Sequence, residues 1–263
     1  MKTFTKEQAI QVEKNSDHIL EWKRSHGYPT DQFAFSSTPG QFNSEDVYAF
    51  FLEHADAMAG SHGGPIRIVE VGCYLGQSTL FLLEAIHSCY LKGVLERDVE
   101  IHVVDTFEGA TDMEKEHANN ESGSFLSKFE HHLGPLLDRV NVHVGKSLDV
   151  VNDFEDDSID FVFIDADHSY EEVYKDINAW YEKVQPYGAL GGHDWHDPGV
   201  RTAYAKTFYR PPTLVVSNSW MLLLGKGEDK DARGDGWKYV HCSADEKLPK
   251  DHFRWCTFLW RRV

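Results

Sequence analysis

Between Ile66 and Leu224 the chain alternates short apolar runs with segments of helical period, and this alternation restricts the folds open to it more than any other feature. Ile66-Arg-Ile-Val-Glu-Val71 reads as a first strand, followed by a glycine turn and a helix through Thr79, Leu80, Leu82, Leu83 and Ile86. Ile101-His-Val-Val-Asp105 is a second strand, and Val140, Val142 and Val144 alternate in a third. Ile159-Asp-Phe-Val-Phe-Ile-Asp165 is a fourth, apolar through its centre as a strand covered on both faces should be. Ser169-Tyr-Glu-Glu172 has the form of a capping box, and Val173, Ile177, Trp180 and Val184 put one apolar stripe on the helix it opens. Tyr187-Gly188 turns the chain into a short fifth strand, Ala189-Leu190-Gly191. Leu214-Val-Val216 and Trp220-Met-Leu-Leu-Leu224 then read as a closing antiparallel pair. Strands alternating with helices imply a parallel sheet with its ligand site at the carboxyl ends of the strands. The sequence therefore predicts an α/β fold: a doubly wound, mostly parallel seven-stranded sheet with helices on both faces and an N-terminal helical extension.

The segments on either side complete this organisation. Residues 1–60 read as the helical extension or cap, with one helix from about Lys6 to Ser25 and another from Ser44 to Ala59, Ser44 standing where a cap is expected. Residues 61–226 form the core domain and 227–263 a C-terminal extension. There, Trp237–His241 and Arg254–Trp260 suit added strands or a subunit contact, so a homo-oligomer is an open expectation. The insertion from Glu108 to Leu133 is polar and acidic, the composition of a mobile lid over a hydroxylated acceptor.

Charge narrows the partners. With 43 acidic against 26 basic residues the formal charge is −17, which repels phosphate backbones and anionic lipids. Nucleic acid and membrane are therefore not expected as partners. The first residues lack the apolar core of a signal peptide and no run is long enough to span a bilayer, so a cytoplasmic location is expected. Cys73, Cys89, Cys242 and Cys256 show no metal-binding spacing and read as free thiols.

The features that carry chemistry all stand at strand ends. Gly72 and Gly76 let the backbone turn tightly and approach a ligand, and the helix beyond offers free N–H groups to an anion. Asp105 ends the second strand, where a carboxylate can accept both hydroxyls of a ribose. A nicotinamide-dependent oxidoreductase also places an acid there, but after G-x-G-x-x-G and about 20 residues on. Here the spacing is G-x-x-x-G and Asp105 lies 29 residues beyond Gly76. At the other end of the site, Asp165-Ala-Asp167-His168 and His193-Asp194 terminate the fourth and fifth strands, which lie side by side in a doubly wound sheet.

Val69-Glu-Val-Gly-Cys-Tyr-Leu-Gly-Gln-Ser-Thr79 resembles motif I of class I S-adenosylmethionine-dependent methyltransferases, and Val103-Val-Asp-Thr-Phe107 resembles their motif II. Ile159–Tyr170 and Gly188–Asp194 are similar to the macrocin-type O-methyltransferases, which modify sugars on natural products and glycans. This resemblance implies S-adenosylmethionine as cofactor, held by Glu70, Gly72, Tyr74, Gly76, Ser78, Asp105, Thr106, Ser147 and Asp165. It further implies a magnesium or manganese ion and a small-molecule or glycan acceptor bearing a hydroxyl. On the family pattern Asp165 and Asp194 would be ligands and Asp167 the base. His193 departs from that pattern by standing where the family has a carboxylate, and imidazole suits manganese, zinc or iron better than magnesium. Three readings stay open: a metal held by Asp165, His193 and Asp194; His193 as base without metal; and His168 as base.

Overall fold

The computed structural model describes residues 1–9, 34–40, 42–58, 63–109, 124–208 and 210–224, with 237–238 and 261–262 of the C-terminal segment. Seven strands form one sheet: β1 (Ile66–Val71), β2 (Val99–Asp105), β3 (Val140–Val144), β4 (Ile159–Ile164), β5 (Val184–Gly192), β6 (Leu214–Val216) and β7 (Ser219–Leu223). Their spatial order is β3-β2-β1-β4-β5-β7-β6. The first five run parallel, and β7 lies antiparallel to both β5 and β6. The order reverses between β1 and β4, so the crevice of a doubly wound sheet opens at their carboxyl ends.

Helices cover both faces because the strands are apolar on both. Ile66 and Ile68 of β1 join one core with Phe161 and Phe163 of β4. Val69 and Val71 join the other with Val162 and Ile164. The first face is covered by α1 (Glu45–Met58), α2 (Gln77–Lys92) and α3 (Phe125–Leu133). The second carries α4 (Ser147–Val150), α5 (Tyr170–Tyr181) and α6 (Pro198–Thr207). Each of these large apolar side chains, taken out of water, contributes about 1.5–3 kcal/mol.

Several expectations change on contact with the structure. Among the described N-terminal residues, Phe4 is buried in the first core and its backbone bridges to Val99 (2.7 and 3.0 Å). Tyr48 of α1 packs against Phe161 and Phe163 of the sheet. The apolar face of α1 covers the sheet there, in one core with β1 and β4. Ser44 precedes α1 and its backbone carbonyl accepts from Val47 and Tyr48, while its hydroxyl pairs with that of Ser219 at 2.7 Å. Strand β5 begins at Val184, earlier than expected, with a register shift opposite Ile159–Phe161 and Tyr187 at φ 74°. The second half of the expected lid is α3, docked through Phe125, Phe129 and Leu133; its first half, 110–123, lies outside the described residues. So do most of the helix expected at Lys6–Ser25 and both Cys242 and Cys256. Cys73 and Cys89 are free thiols. In the C-terminal segment, β8 (Trp237–Lys238) pairs antiparallel with β9 (Arg261–Arg262). Among the described residues no helix is long and apolar enough to cross a membrane.

Candidate active site

The glycine turn is fastened to its neighbours by backbone. Gly72 N–H donates to the Val104 carbonyl at 2.8 Å, and Asp165 N–H donates to the Val71 carbonyl at 2.7 Å, so the ends of β1, β2 and β4 are stitched together. Gly72 sits at φ +86°, and a Cβ there would run into the Asp165 carbonyl. Gly76 at φ +88° starts α2, and a Cβ on it would come within 2.7 Å of Leu133 in α3. Glycine is needed at both positions for conformation and for space.

Asp105 is half-buried and has a structural task as well as exposed neighbours. Its Oδ2 accepts from the N–H groups of Cys73 and Tyr74 (both 2.9 Å), and its Oδ1 from Phe107 N–H at 2.7 Å. It thus holds the glycine turn in shape. Tyr74 beside it is 41% exposed, and Val144, opposite it on β3, is 58% exposed. A carboxylate flanked by uncovered apolar side chains suits a group with hydroxyls and a flat apolar face, the chemistry of a nucleoside. Thr106 turns its hydroxyl to Glu108 N–H at 3.3 Å.

Ser147 is committed inward. Its hydroxyl accepts from Trp180 Nε1 (2.7 Å) and donates to Asp176 (2.6 Å), so the side chain is taken up beneath the turn. Burial pushes the Asp176 carboxyl up to about 6, against the Ser147 hydrogen bond that favours its charge.

Glu70 is fully buried behind the turn. Tyr48 donates to its Oε1 at 3.2 Å and Thr79 to its Oε2 at 2.5 Å. Burial raises its pKa to about 7, although hydrogen bonds from Ser78, Thr79 and Tyr48 oppose the shift. A carboxyl whose folded pKa lies above its unfolded value favours folding below that unfolded value. That contribution is lost as pH rises through about 7. Glu70→Gln is therefore expected to match the wild type near pH 5 and to be the more stable protein near pH 8, by up to about 3 kcal/mol. Denaturant melts at the two pH values check this; parallel pH dependence in the two proteins contradicts it.

The ends of β4 and β5 converge. His168 Nε2 lies 2.9 Å from Asp194 Oδ2, and His193 Nδ1 lies 3.1 Å from the same oxygen and 3.5 Å from Asp165 Oδ1. Asp194, at φ 54°, receives Asn218 Nδ2 on its other oxygen at 3.0 Å. Asp165, His168 and Asp194 each bring one donor atom to within 4.8 Å of the others. They line a cavity of about 10 Å³ together with His193 and the buried Trp220, whose indole N–H has no partner among the described residues.

Electrostatics follows from these contacts. Burial pulls the His193 pKa down, but the hydrogen bonds and charges of Asp165 and Asp194 overcome it and lift the ring to about 10. The hydrogen bond to Asp194 also raises His168. Burial would raise Asp194, yet the two imidazoles hold it well below the usual carboxylate range.

Of the residues singled out in the sequence, Asp165, His168, His193 and Asp194 are brought into mutual contact, while Asp167 lines the same cavity with its side chain turned to another partner. Its Oδ1 accepts Ser169 N–H at 2.6 Å at the start of α5, and hydrogen bonds from the Ser169 side chain and then its backbone lower its pKa. Ser169 holds the N-cap position without a side-chain bond to the helix, so the expected capping box is replaced by Asp167 acting on Ser169. The reason is proximity: Asp167 reaches the first free amide within two residues. Asp197 caps α6 through Gly199 N–H at 2.6 Å, and Trp195 and Trp220 pack with Tyr204 in the core. Asn43 and Asn218 were missed. Asn218 lies in the tight turn between β6 and β7, where a polar turn residue beside β5 is a usable signal; Asn43 carried none.

The stretch from Val69 to Trp195, which contains all of these strand ends, matches a family model. It is described as a methyltransferase domain, and the match covers residues 69–195, just under half of the chain. The fold is that of the class I methyltransferases. The O-methyltransferase NovP shares 18% identity, with 69% of this chain and 79% of NovP covered and a TM-score of 0.51. An O-methyltransferase from Bacillus cereus, solved in complex with SAH, shares 18% identity over 73% of this chain and 86% of its own, with a TM-score of 0.46. The O-methyltransferase TomG from Streptomyces achromogenes, in complex with SAM, shares 13% identity over 80% and 89%, with a TM-score of 0.43. Among curated proteins none matches this chain.

Proposed function

We propose that this methyltransferase-fold protein is an S-adenosylmethionine-dependent O-methyltransferase acting on a hydroxyl of a sugar or glycosylated small molecule, with divalent-metal assistance. The observation that carries the reading is the convergence of Asp165, His168 and Asp194 beside the Gly72 turn. When bound, S-adenosylmethionine supplies the methyl group as a sulfonium. Gly72, Gly76, Tyr74 and Ser78 would form its cradle, Glu70 would brace that cradle from behind, and Asp105 and Thr106 would meet the ribose. The backbone at Ser147 would border the adenine.

Two carboxylates and one imidazole form a donor set suited to manganese, zinc or iron. Asp165, His168 and Asp194 would hold the ion, which would lower the pKa of an acceptor hydroxyl. His193 is not in this set: its Nδ1 faces Asp165 and Asp194, and its Nε2 faces Asn43 Oδ1 at 2.7 Å. Held this way it clamps the two carboxylates instead of serving as ligand or base.

A specific contact favours a second reading, in which His168 acts without metal. Asp194 fixes Nε2 of a half-exposed imidazole, and Nδ1 would be left to take the acceptor's proton.

Calorimetric titration with S-adenosylhomocysteine, with and without added manganese or magnesium, tests the proposal. Binding is expected in all conditions, with additional metal-linked heat. Binding without any metal heat, and methyl transfer that survives chelator, would favour the His168–Asp194 base. No binding at all, with binding of a nicotinamide cofactor instead, would replace the methyltransferase reading altogether.

A further inference from the structure

The residues leading into α1, and its first turn, reach the site from far away in the chain. Phe42 N–H donates to the side chain of Gln77 at the start of α2 (3.0 Å), Ser44 meets Ser219 of β7, and Tyr48 donates to Glu70 of β1. Between these anchors stands Asn43, whose Oδ1 lies 2.7 Å from His193 Nε2. The same imidazole presents Nδ1 to Asp165 and Asp194, at 3.5 and 3.1 Å. An imidazole tethered at one nitrogen only can rotate about its Cβ–Cγ bond. Tethered at both, it has one ring plane.

We infer that Asn43 is a positioning residue that fixes the ring of His193, and through it the spacing of Asp165 and Asp194. This rests on the reading of those carboxylates as the chemical end of the site. Asn43 itself touches none of Asp165, His168 and Asp194 through any hydrogen bond the structure shows; it acts through His193. The segment carrying it is braced on Gln77 and Glu70, next to the glycine turn, so the N-terminal region links the two halves of the site.

The test needs no acceptor. In protein labelled with ¹⁵N-histidine, a slowly exchanging ring proton on His193 Nε2 is expected, assigned by its loss in His193→Gln. Asn43→Ala should speed its exchange about tenfold, the equivalent of losing one such hydrogen bond. Asn43→Asp, which keeps the acceptor oxygen, should restore the protection. Asn43 is exposed, so the fold is expected to survive, and the affinity for S-adenosylhomocysteine should stay within about twofold of wild type in both variants. A wild-type protein without that ring proton, or an Asn43→Ala spectrum in which it is unchanged, overturns the inference. A wild-type protein that binds no S-adenosylhomocysteine overturns the functional reading on its own and leaves the ring-proton result to decide Asn43.

Discussion

Asp105→Ala is expected to lower the affinity for S-adenosylhomocysteine by about a hundredfold or more, the loss of two charge-assisted hydrogen bonds at about 1.5 kcal/mol each. The side chain would contribute twice. Toward a ligand, it is the carboxylate at the end of β2 in the crevice of the sheet, between exposed Tyr74 and Val144. Toward the protein, it holds the N–H groups of Cys73, Tyr74 and Phe107, so its removal also releases the turn that would form the cradle. Asp105→Asn separates the two: one oxygen remains to accept, while the new NH2 group faces amides that are themselves donors. An intermediate affinity is expected for it. Calorimetry on the three proteins checks this, and unchanged binding by Asp105→Ala would remove the end of β2 from the cofactor site.

Asp194→Asn carries the other large effect. On the proposed function, methyl transfer to the acceptor hydroxyl should fall by about 10²–10⁴-fold, the usual contribution of an acid–base arrangement such as the His168–Asp194 pair would form. The affinity for S-adenosylhomocysteine should barely change, because Asp194 lies at the end of β5 and not in the glycine turn. Asp194 is shared: Oδ2 meets both His168 and His193, and Oδ1 receives Asn218. An amide in its place keeps one oxygen for Asn218 or for an imidazole, but not for all three, and it carries no charge to hold either ring. Single-turnover transfer of a labelled methyl group is the measurement. If raised manganese restores part of the rate, Asp194 acts chiefly as a ligand; if it restores none, it acts chiefly by orienting His168. A variant as active as wild type would mean that the chemistry happens elsewhere.

Much of this protein could be read from its sequence because the signals are local. The apolar centre of β4 declares by itself a strand covered twice, and the structure puts Phe161 and Phe163 into one core and Val162 and Ile164 into the other. Gly72 and Gly76 declare a turn because only glycine accepts positive φ without strain where space is also short. Asp165, His168, His193 and Asp194 could be placed together because parallel strands that are neighbours end at the same edge.

What each side chain does at that edge was not legible. Asp167, His168, His193 and Asp194 are equally polar in sequence, yet one caps a helix, one is half-exposed on a carboxylate, one is clamped between two carboxylates and an amide, and one binds both rings. Ser147 likewise stands where expected, but Trp180 and Asp176 take its hydroxyl. The sequence by itself determined the order of the strands' types, the glycine turn and the edge where polar residues gather, since these depend on period and on backbone sterics. Only the tertiary structure decided the partners. Asn43 and His193 are 150 positions apart, and a hydrogen bond between them depends on how α1 packs across the sheet, a relation that no local pattern of residues encodes.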